Sequence, residues 1–318
     1  MKTTLTATTL CMLMLIAIAP PLAANVWNER APMPNPRSQD AVGAINGILY
    51  VAGGLDPNGQ ETATLQAYDV ERGSWTTLAN MPAGRYEGDG TGVINSQLYV
   101  AGGWTVSGRL PTDTLYRYDP PSNTWATLAP LSHLSGCGGT DVIDGQLYVT
   151  TACNGFSDCT PLLDVYNPLT NSWTSLANSN DEHLAPAVGA INGKLYVAGG
   201  QGCSGQLTTL TEVYDPATNQ WTTLAPMPIA LTQPASVALN GLLWVFGGYD
   251  SHGNTLNTVL AYDPHLNVWL NLTPSMPTAR LNAGAAVVYG MAFVEGGTPS
   301  EGGDLPTNES FTEIPYVP

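Results

Sequence analysis

The feature that most limits what this chain can become is a block of sequence that occurs six times along it. The run Leu49-Tyr50-Val51-Ala52-Gly53-Gly54 returns as Leu98 to Gly103, Leu195 to Gly200 and Leu243 to Gly248, and in looser form as Ala292 to Gly297. The third copy, Leu147 to Ala152, carries Thr151-Ala152 in place of the glycines. The first position of the pair steps through residues 53, 102, 151, 199, 247 and 296, a period of 48–49 residues. A unit this short cannot bury its apolar face alone and must stack on its neighbours.

A second block follows each of the first five copies. Tyr68 precedes Trp75 by seven residues, and Tyr118/Trp125, Tyr166/Trp173, Tyr214/Trp221 and Tyr262/Trp269 keep that spacing around a turn rich in Asp, Pro and Asn. Short apolar runs separated by such turns read as β-hairpins. Each repeat then supplies four strands, a to d; in the second they fall near 90–95, 97–102, 112–118 and 124–128. Asn46-Gly47, Asp144-Gly145 and Asn192-Gly193 suit tight a–b turns, which need positive φ. No helical periodicity is present after residue 24.

The last repeat has strands a, b and c near 284–289, 291–296 and 308–314 but no Trp strand after them. The missing strand stands at the front, as Val26-Trp27-Asn28-Glu29-Arg30, with Trp27 placed 48 residues before Trp75. The N-terminal strand is therefore expected to complete the sixth sheet, closing the array and removing two open edges.

The Gly-Gly, Tyr-Asp-Pro and Trp blocks together closely resemble kelch repeats over residues 25–318. The resemblance implies an all-β, six-bladed propeller with a central channel. It implies no single activity, because kelch propellers include enzymes, sugar-binding proteins and interaction modules. The regularly spaced Tyr50, Tyr99, Trp75 and their counterparts are expected to pack between blades. Truncating one such Trp to Ala should cost about 3–5 kcal/mol.

Residues 1–24 are expected to be a cleaved signal peptide. Lys2 gives a positive start, Leu10 to Ala19 an apolar run, and Leu22-Ala23-Ala24 a small-residue cleavage site. The run is too short to span a membrane. This places the protein outside the cytoplasm, secreted or periplasmic, with 25–318 as the propeller. Cleavage leaves Cys137, Cys153, Cys159 and Cys203, an even set that predicts disulfides in an oxidising compartment. Cys153–Cys159 with Cys137–Cys203 is one pairing; Cys137–Cys153 with Cys159–Cys203 is the other. The net charge of −16 disfavours nucleic acid as a partner.

Antiparallel blades put the d–a and b–c loops on one face, and candidate site residues collect in the d–a loops. These carry Arg37-Ser38-Gln39-Asp40, then Arg85-Tyr86-Glu87, His133, Asp181-Glu182-His183, Thr232-Gln233 and Arg280-Leu281-Asn282. Arg37, Arg85, Tyr86, Glu87, His133, Glu182, His183 and Arg280 form the expected ligand-binding set, because arginine forks suit carboxylates. A competing reading has the arginines tying the repeats together, since Arg follows a Met-Pro pair as at Met81-Pro82-Ala83-Gly84-Arg85. Glu87, Glu182 and His183 are the candidates for acid–base work. No cofactor and no metal are expected: close His-x-His spacing is lacking, and Asp56 to Glu61 lacks most ligands of a calcium loop. There is no Gly-x-Ser-x-Gly elbow, phosphate loop or His-Glu-x-x-His motif.

Two functions follow. One is a binding module for a glycan, a small polar ligand or an extracytoplasmic protein. The other is a sugar-modifying enzyme, since the layout is similar to that of exported propellers resembling sialic-acid mutarotases. That chemistry needs only an acid, a base and an Arg for the sugar carboxylate.

Overall fold

Six antiparallel four-stranded sheets follow the six repeats one for one. The computed structural model describes residues 25–313 except 88–89, 109, 152–159 and 273, so the expected signal segment lies outside the described residues. Blade 1 has strands a to d at Ala41–Ile45, Ile48–Ala52, Leu65–Asp69 and Ser74–Leu78. The a strands of blades 2 to 6 are Gly90–Ile94, Gly139–Ile143, Ala187–Ile191, Ala235–Leu239 and Gly284–Val288. No helix occurs among the described residues.

The strands differ in burial as their sequences do. Strand b is covered on both faces, so it reads as the continuous apolar run Leu49-Tyr50-Val51-Ala52, all buried. Strand d is largely exposed and carries one half-buried Trp among Ser and Thr. The a–b turns take the expected conformation: Asn46 and Gly47 have φ of 49° and 81°, Asn192 and Gly193 52° and 74°.

Each blade boundary is joined in the same way. An aromatic pair crosses it: Tyr50–Tyr118, Tyr99–Tyr166, Tyr148–Tyr214, Tyr196–Tyr262, Trp244–Phe311 and Tyr68–Phe293, with ring centroids 4.9–6.4 Å apart. Further out, the strand-d Trp clamps the preceding blade. Trp125 Nε1 donates to Ala79 O at 2.8 Å, while the Ala79 N–H donates to Asn123 Oδ1 at 2.9 Å. Trp173 with Asn171 holds Ala129 in the same way, and Trp221 with Asn219 holds Ala177. The Asn that closes each clamp also accepts from the Tyr of its own hairpin, as Tyr118 does to Asn123 at 2.8 Å.

The ring closes through the N-terminal strand. Val26–Glu29 pairs with Asn308–Thr312 in the order d-c-b-a of blade 6, with Trp27 opposite Phe311. Trp27 also packs edge-on against Phe246 of blade 5 at 5.6 Å. The six a strands surround a central cavity of about 470 Å³ walled by Gly, Ala and Val with a few hydroxyls and acids. Hydroxyls bridge adjacent a strands: Thr140 Oγ1 donates to Thr91 O at 3.0 Å, and Ser236 Oγ to Val188 O at 3.0 Å.

Deleting Val26 to Arg30 should open the edge of Asn308–Thr312 and remove Trp27 from two aromatic contacts. The expected loss is about 3 kcal/mol or more, the low end for a buried Trp. Urea unfolding against the full chain measures it; an unchanged midpoint would show that closure does not depend on this strand.

Candidate functional site

On the face carrying the d–a loops, one non-glycine residue per blade adopts the left-handed conformation. Gln39, Glu87, Cys137, Ala185, Gln233 and Asn282 have φ of 57°, 44°, 62°, 49°, 57° and 57°. A non-glycine residue there is strained by about 1–2 kcal/mol. Backbone bonds between the loops hold the geometry in place. Glu87 N donates to Gln39 O, Gln39 N to Asn282 O, Asn282 N to Gln233 O, Gln233 N to Ala185 O, and Ala185 N to Cys137 O, at 2.6–2.9 Å. These residues run around the channel entrance as a belt.

The belt turns its side chains toward a mouth cavity of about 110 Å³ that also takes in Asp40. Gln39 Nε2 donates to Glu87 Oε1 at 2.8 Å, and the Cys137 thiol donates to Glu87 Oε2 at 3.4 Å. Burial pushes the Glu87 carboxyl up, and the thiol hydrogen bond only partly offsets it. Asp40 is pushed up to about 7 by burial, against the pull of the Arg37 charge. Deeper in the channel Asp141 accepts from Ala190 N at 2.6 Å and Val142 N at 2.7 Å.

The three expected arginines lie elsewhere. Arg37, Arg85 and Arg280 are buried, at 1%, 3% and 0% exposure. Each donates from Nη1 to the carbonyl of the first glycine of a pair: Gly53, Gly102 and Gly296, at 2.9, 2.8 and 3.2 Å. Arg37 also reaches Gln66 Oε1 and Arg280 reaches Glu309 Oε2, both on strand c, at 2.9 and 2.7 Å. Arg85 lies over the Tyr116 ring at 4.0 Å. His183 occupies the same position in blade 4, with Nδ1 2.6 Å from Gly199 O and Nε2 3.2 Å from Glu212. Blade 5 places Leu231 and Leu260 there, both fully buried in one apolar cluster. These polar groups fasten each d–a loop to the blade it enters.

The remaining expected residues are spread along the loops. Tyr86 exchanges backbone bonds with Trp104. His133 Nε2 lies 3.1 Å from Asp164 Oδ2. Glu182 Oε2 accepts from Cys203 N at 2.6 Å, which pins the b–c loop of blade 4. Asp56 caps its own turn by accepting from Asn58 N and Gln60 N, as the turn reading expects. Of the proposed set, Glu87 alone stands in the mouth cavity. Cys137, expected in one of two bridges, instead donates from its thiol to Glu87 Oε2. Cys153 and Cys159 lie outside the described residues.

Gln39, Asp40, Gln233 and Asn282 fall in the d–a loop segments expected to ring the mouth but stood outside the expected ligand-binding set, and Cys137 was assigned to a bridge. The available signal was register: each except Asp40 stands two residues after the anchor position defined by Arg37, Arg85, Ser135, His183, Leu231 and Arg280. Large charged anchors drew attention from the small polar residues behind them.

A family model described as the kelch motif matches residues 36–82, 90–132, 184–228 and 230–276, together more than half of the chain. Kelch-like protein 21 of Homo sapiens is 30% identical over 125 residues, covering 39% of this chain and 20% of its own. Beta-scruin of Limulus polyphemus is 29% identical over 110 residues, covering 33% of this chain and 12% of its own. The matched segment thus spans a fifth or less of these relatives. Among solved structures, the one described as the structure of YjhT superposes with a TM-score of 0.78 at 18% identity, covering 90% of this chain and 98% of that one. At that identity the likeness is one of fold.

Two outcomes test the anchors and the mouth. Arg280→Leu should cost about 3–5 kcal/mol by stranding buried Glu309, and adding Glu309→Leu should recover much of the loss, as Leu231 and Leu260 do naturally. Urea melts of the double-mutant cycle decide it. For Asp40 the folded value near 7 lies above the ordinary 3.8. The native state therefore holds this proton more tightly, so the stabilisation is complete below about pH 4 and is lost as pH rises through 7. Asp40→Asn should remove that part of the slope in melting temperature against pH; identical slopes would contradict it.

Proposed function

The chain belongs to the kelch-repeat family, and we propose that its propeller is a ligand-binding module that takes a small polar ligand at the channel mouth. The observation that carries this reading is the belt of strained left-handed residues whose side chains line one cavity. Strain maintained at six equivalent positions by neighbouring loops is a feature associated with ligand sites. A rigid wall with a few convergent polar groups is also the usual form of a small-molecule site. A cavity of about 110 Å³ suits one chemical group of a glycan or other polar molecule more than a protein surface.

The module is proposed to work outside the cytoplasm, after cleavage following Ala24. We infer a disulfide at Cys203. The bonded state of Cys203 supports it.

The second reading, a sugar-modifying enzyme, is favoured by one observation: Glu87 is a buried carboxyl at the mouth, held above its ordinary range by burial and bonded to a thiol, a group of the kind that acts as a general acid or base. Against a sialic-acid substrate stands the burial of Arg37, Arg85 and Arg280, each already bonded to main-chain carbonyls. Anomer exchange of N-acetylneuraminate followed by NMR tests this, with Glu87→Gln abolishing any acceleration.

Binding is tested with a panel of neutral, acidic and amino monosaccharides by calorimetry. Gln233→Ala and Asn282→Ala should each weaken the binder about 3–10-fold, the scale of one hydrogen bond, with unchanged melting temperature. Asn240→Ala, in an a–b turn on the opposite face, should not weaken it. Equal effects on both faces would refute a site at the mouth.

A further inference from the structure

Beside the mouth, the same face holds a second and larger space. A groove of about 230 Å³ lies between the b–c loop of blade 4, which contributes Gln201, and the b–c loop of blade 5, which contributes Tyr249 to Ser251. Gln233 of the blade 5 d–a loop lines this groove and the mouth cavity, so the two spaces meet at that residue. Neither space alone reaches the roughly 300–1,000 Å³ of ordinary small-molecule sites; joined, they do.

Both walls are held by their own bonds. In blade 4, Gly202 N donates to Gln206 O and Gly205 N to Gly202 O, both at 2.9 Å, and Gln201 Nε2 donates to Gly205 O at 2.9 Å. In blade 5, Tyr249–Asp250 pairs with Leu231–Thr232, and Asp250 Oδ1 accepts from His252 N and Asn254 N at 2.9 Å. A wall already ordered loses little freedom when a ligand arrives. Between blades 1 and 2 the corresponding loops are bridged, with Val106 N donating to Glu61 Oε2 at 2.7 Å. Between blades 4 and 5 they stand apart around the groove.

The groove combines one aromatic ring with neutral polar groups. Tyr249 is 39% exposed, and no other aromatic ring among the described residues packs on it. The repeat does not require an aromatic there, since Leu55, Gln201 and Thr298 hold the equivalent place after the glycine pair in blades 1, 4 and 6. Gln233 is half-buried and its side-chain amide makes no hydrogen bond among the described residues, while Ser251 is exposed. No Lys, Arg or His lines the groove among the described residues, and Asp250 is committed to its own turn. A phosphate or carboxylate therefore meets no cation, and a wholly apolar ligand would leave the amides unpaired. A pyranose ring fits both halves of this surface: its C–H face packs on the phenol ring, and its hydroxyls at the rim reach amides and hydroxyls.

We propose that the groove is a sugar subsite, in which Tyr249 stacks on one uncharged pyranose ring while Gln201, Gln233 and Ser251 bond its hydroxyls and the next unit of the same glycoside enters the mouth. This rests on the reading of the mouth as a ligand site and extends its ligand from one chemical group to a chain of at least two sugar units.

The test is calorimetry on the full-length mature protein with cellobiose, maltose, lactose and N,N′-diacetylchitobiose, each against its component monosaccharides. At least one disaccharide should bind about 10-fold more tightly than either half, the scale of one ring contact with one hydrogen bond. Tyr249→Ala should return that disaccharide to the affinity of its tighter half with an unchanged melting temperature, and Tyr249→Phe should keep most of the gain. No disaccharide gaining over its halves, or a gain that survives Tyr249→Ala, would overturn the proposal. Asn282, which lines the mouth and not the groove, separates the two readings. Monosaccharide binding weakened by Asn282→Ala without a disaccharide gain keeps the mouth and removes the groove. A gain lost in Tyr249→Ala but indifferent to Asn282→Ala keeps the groove as a sugar site and removes the mouth.

Discussion

Everything in this molecule depends on how one blade holds the next. No strand of one blade pairs with a strand of the next, since strand pairing stays within each sheet. Adhesion comes from an apolar seam centred on an aromatic pair, and outside it from the clamp on an alanine. That clamp uses both polar groups of one peptide residue: Ala79 gives its N–H to Asn123 and its carbonyl to Trp125. The Asn must turn left-handed to present its oxygen, and Asn123, Asn171, Asn219 and Asn267 all do so with φ of 49–54°. The turn residue and the seam are thus one device. A ring of such joints has no free end only if the last blade is whole, which is why four residues near the N-terminus are structural.

The anchor position shows how freely a buried polar site can vary when its partner varies with it. Arg37 meets Gln66, His183 meets Glu212, Arg280 meets Glu309, and Leu231 meets Leu260. A desolvated ion pair and a leucine pair do the same mechanical task, as expected when Coulomb attraction little more than offsets desolvation. What cannot vary alone is one member of a pair. The adjoining glycines are constrained for a different reason: a Cβ on Gly53 would come within 2.7 Å of the Arg85 carbonyl, and Gly53 already has φ of 71°.

The sequence made the architecture readable because its constraints repeat. Glycine pairs, the Tyr–Trp interval and the stray Trp27 each report a local requirement that recurs from blade to blade, so blade number, strand order and closure could be read without a structure. The site was much less readable. Arg37, Arg85 and Arg280 could be read as ligand contacts or as ties within the repeat, and their side chains fold back under the loop to main-chain carbonyls, in keeping with the second. Glu87 was identified because it follows such an arginine. Asp40 and Gln39 were read only as parts of a d–a loop, since nothing in their residue types announces a left-handed bend or an unpaired oxygen. The cysteines misled through parity: an even number suggested two bridges, but the Cys137 thiol donates to a carboxyl.

The belt around the entrance has an evolutionary consequence. Its main-chain groups are spent on one another, loop to loop, so the entrance wall is fixed by backbone geometry and owes little to residue identity. What each blade contributes to the opening is one interchangeable side chain: Gln, Glu, Cys, Ala, Gln and Asn. Descendants of this chain could exchange those six letters by single substitutions, one blade at a time, while the frame stayed the same. Chemistry at the opening can therefore drift quickly on a scaffold that drifts slowly, and close relatives with the same ring need not share a ligand.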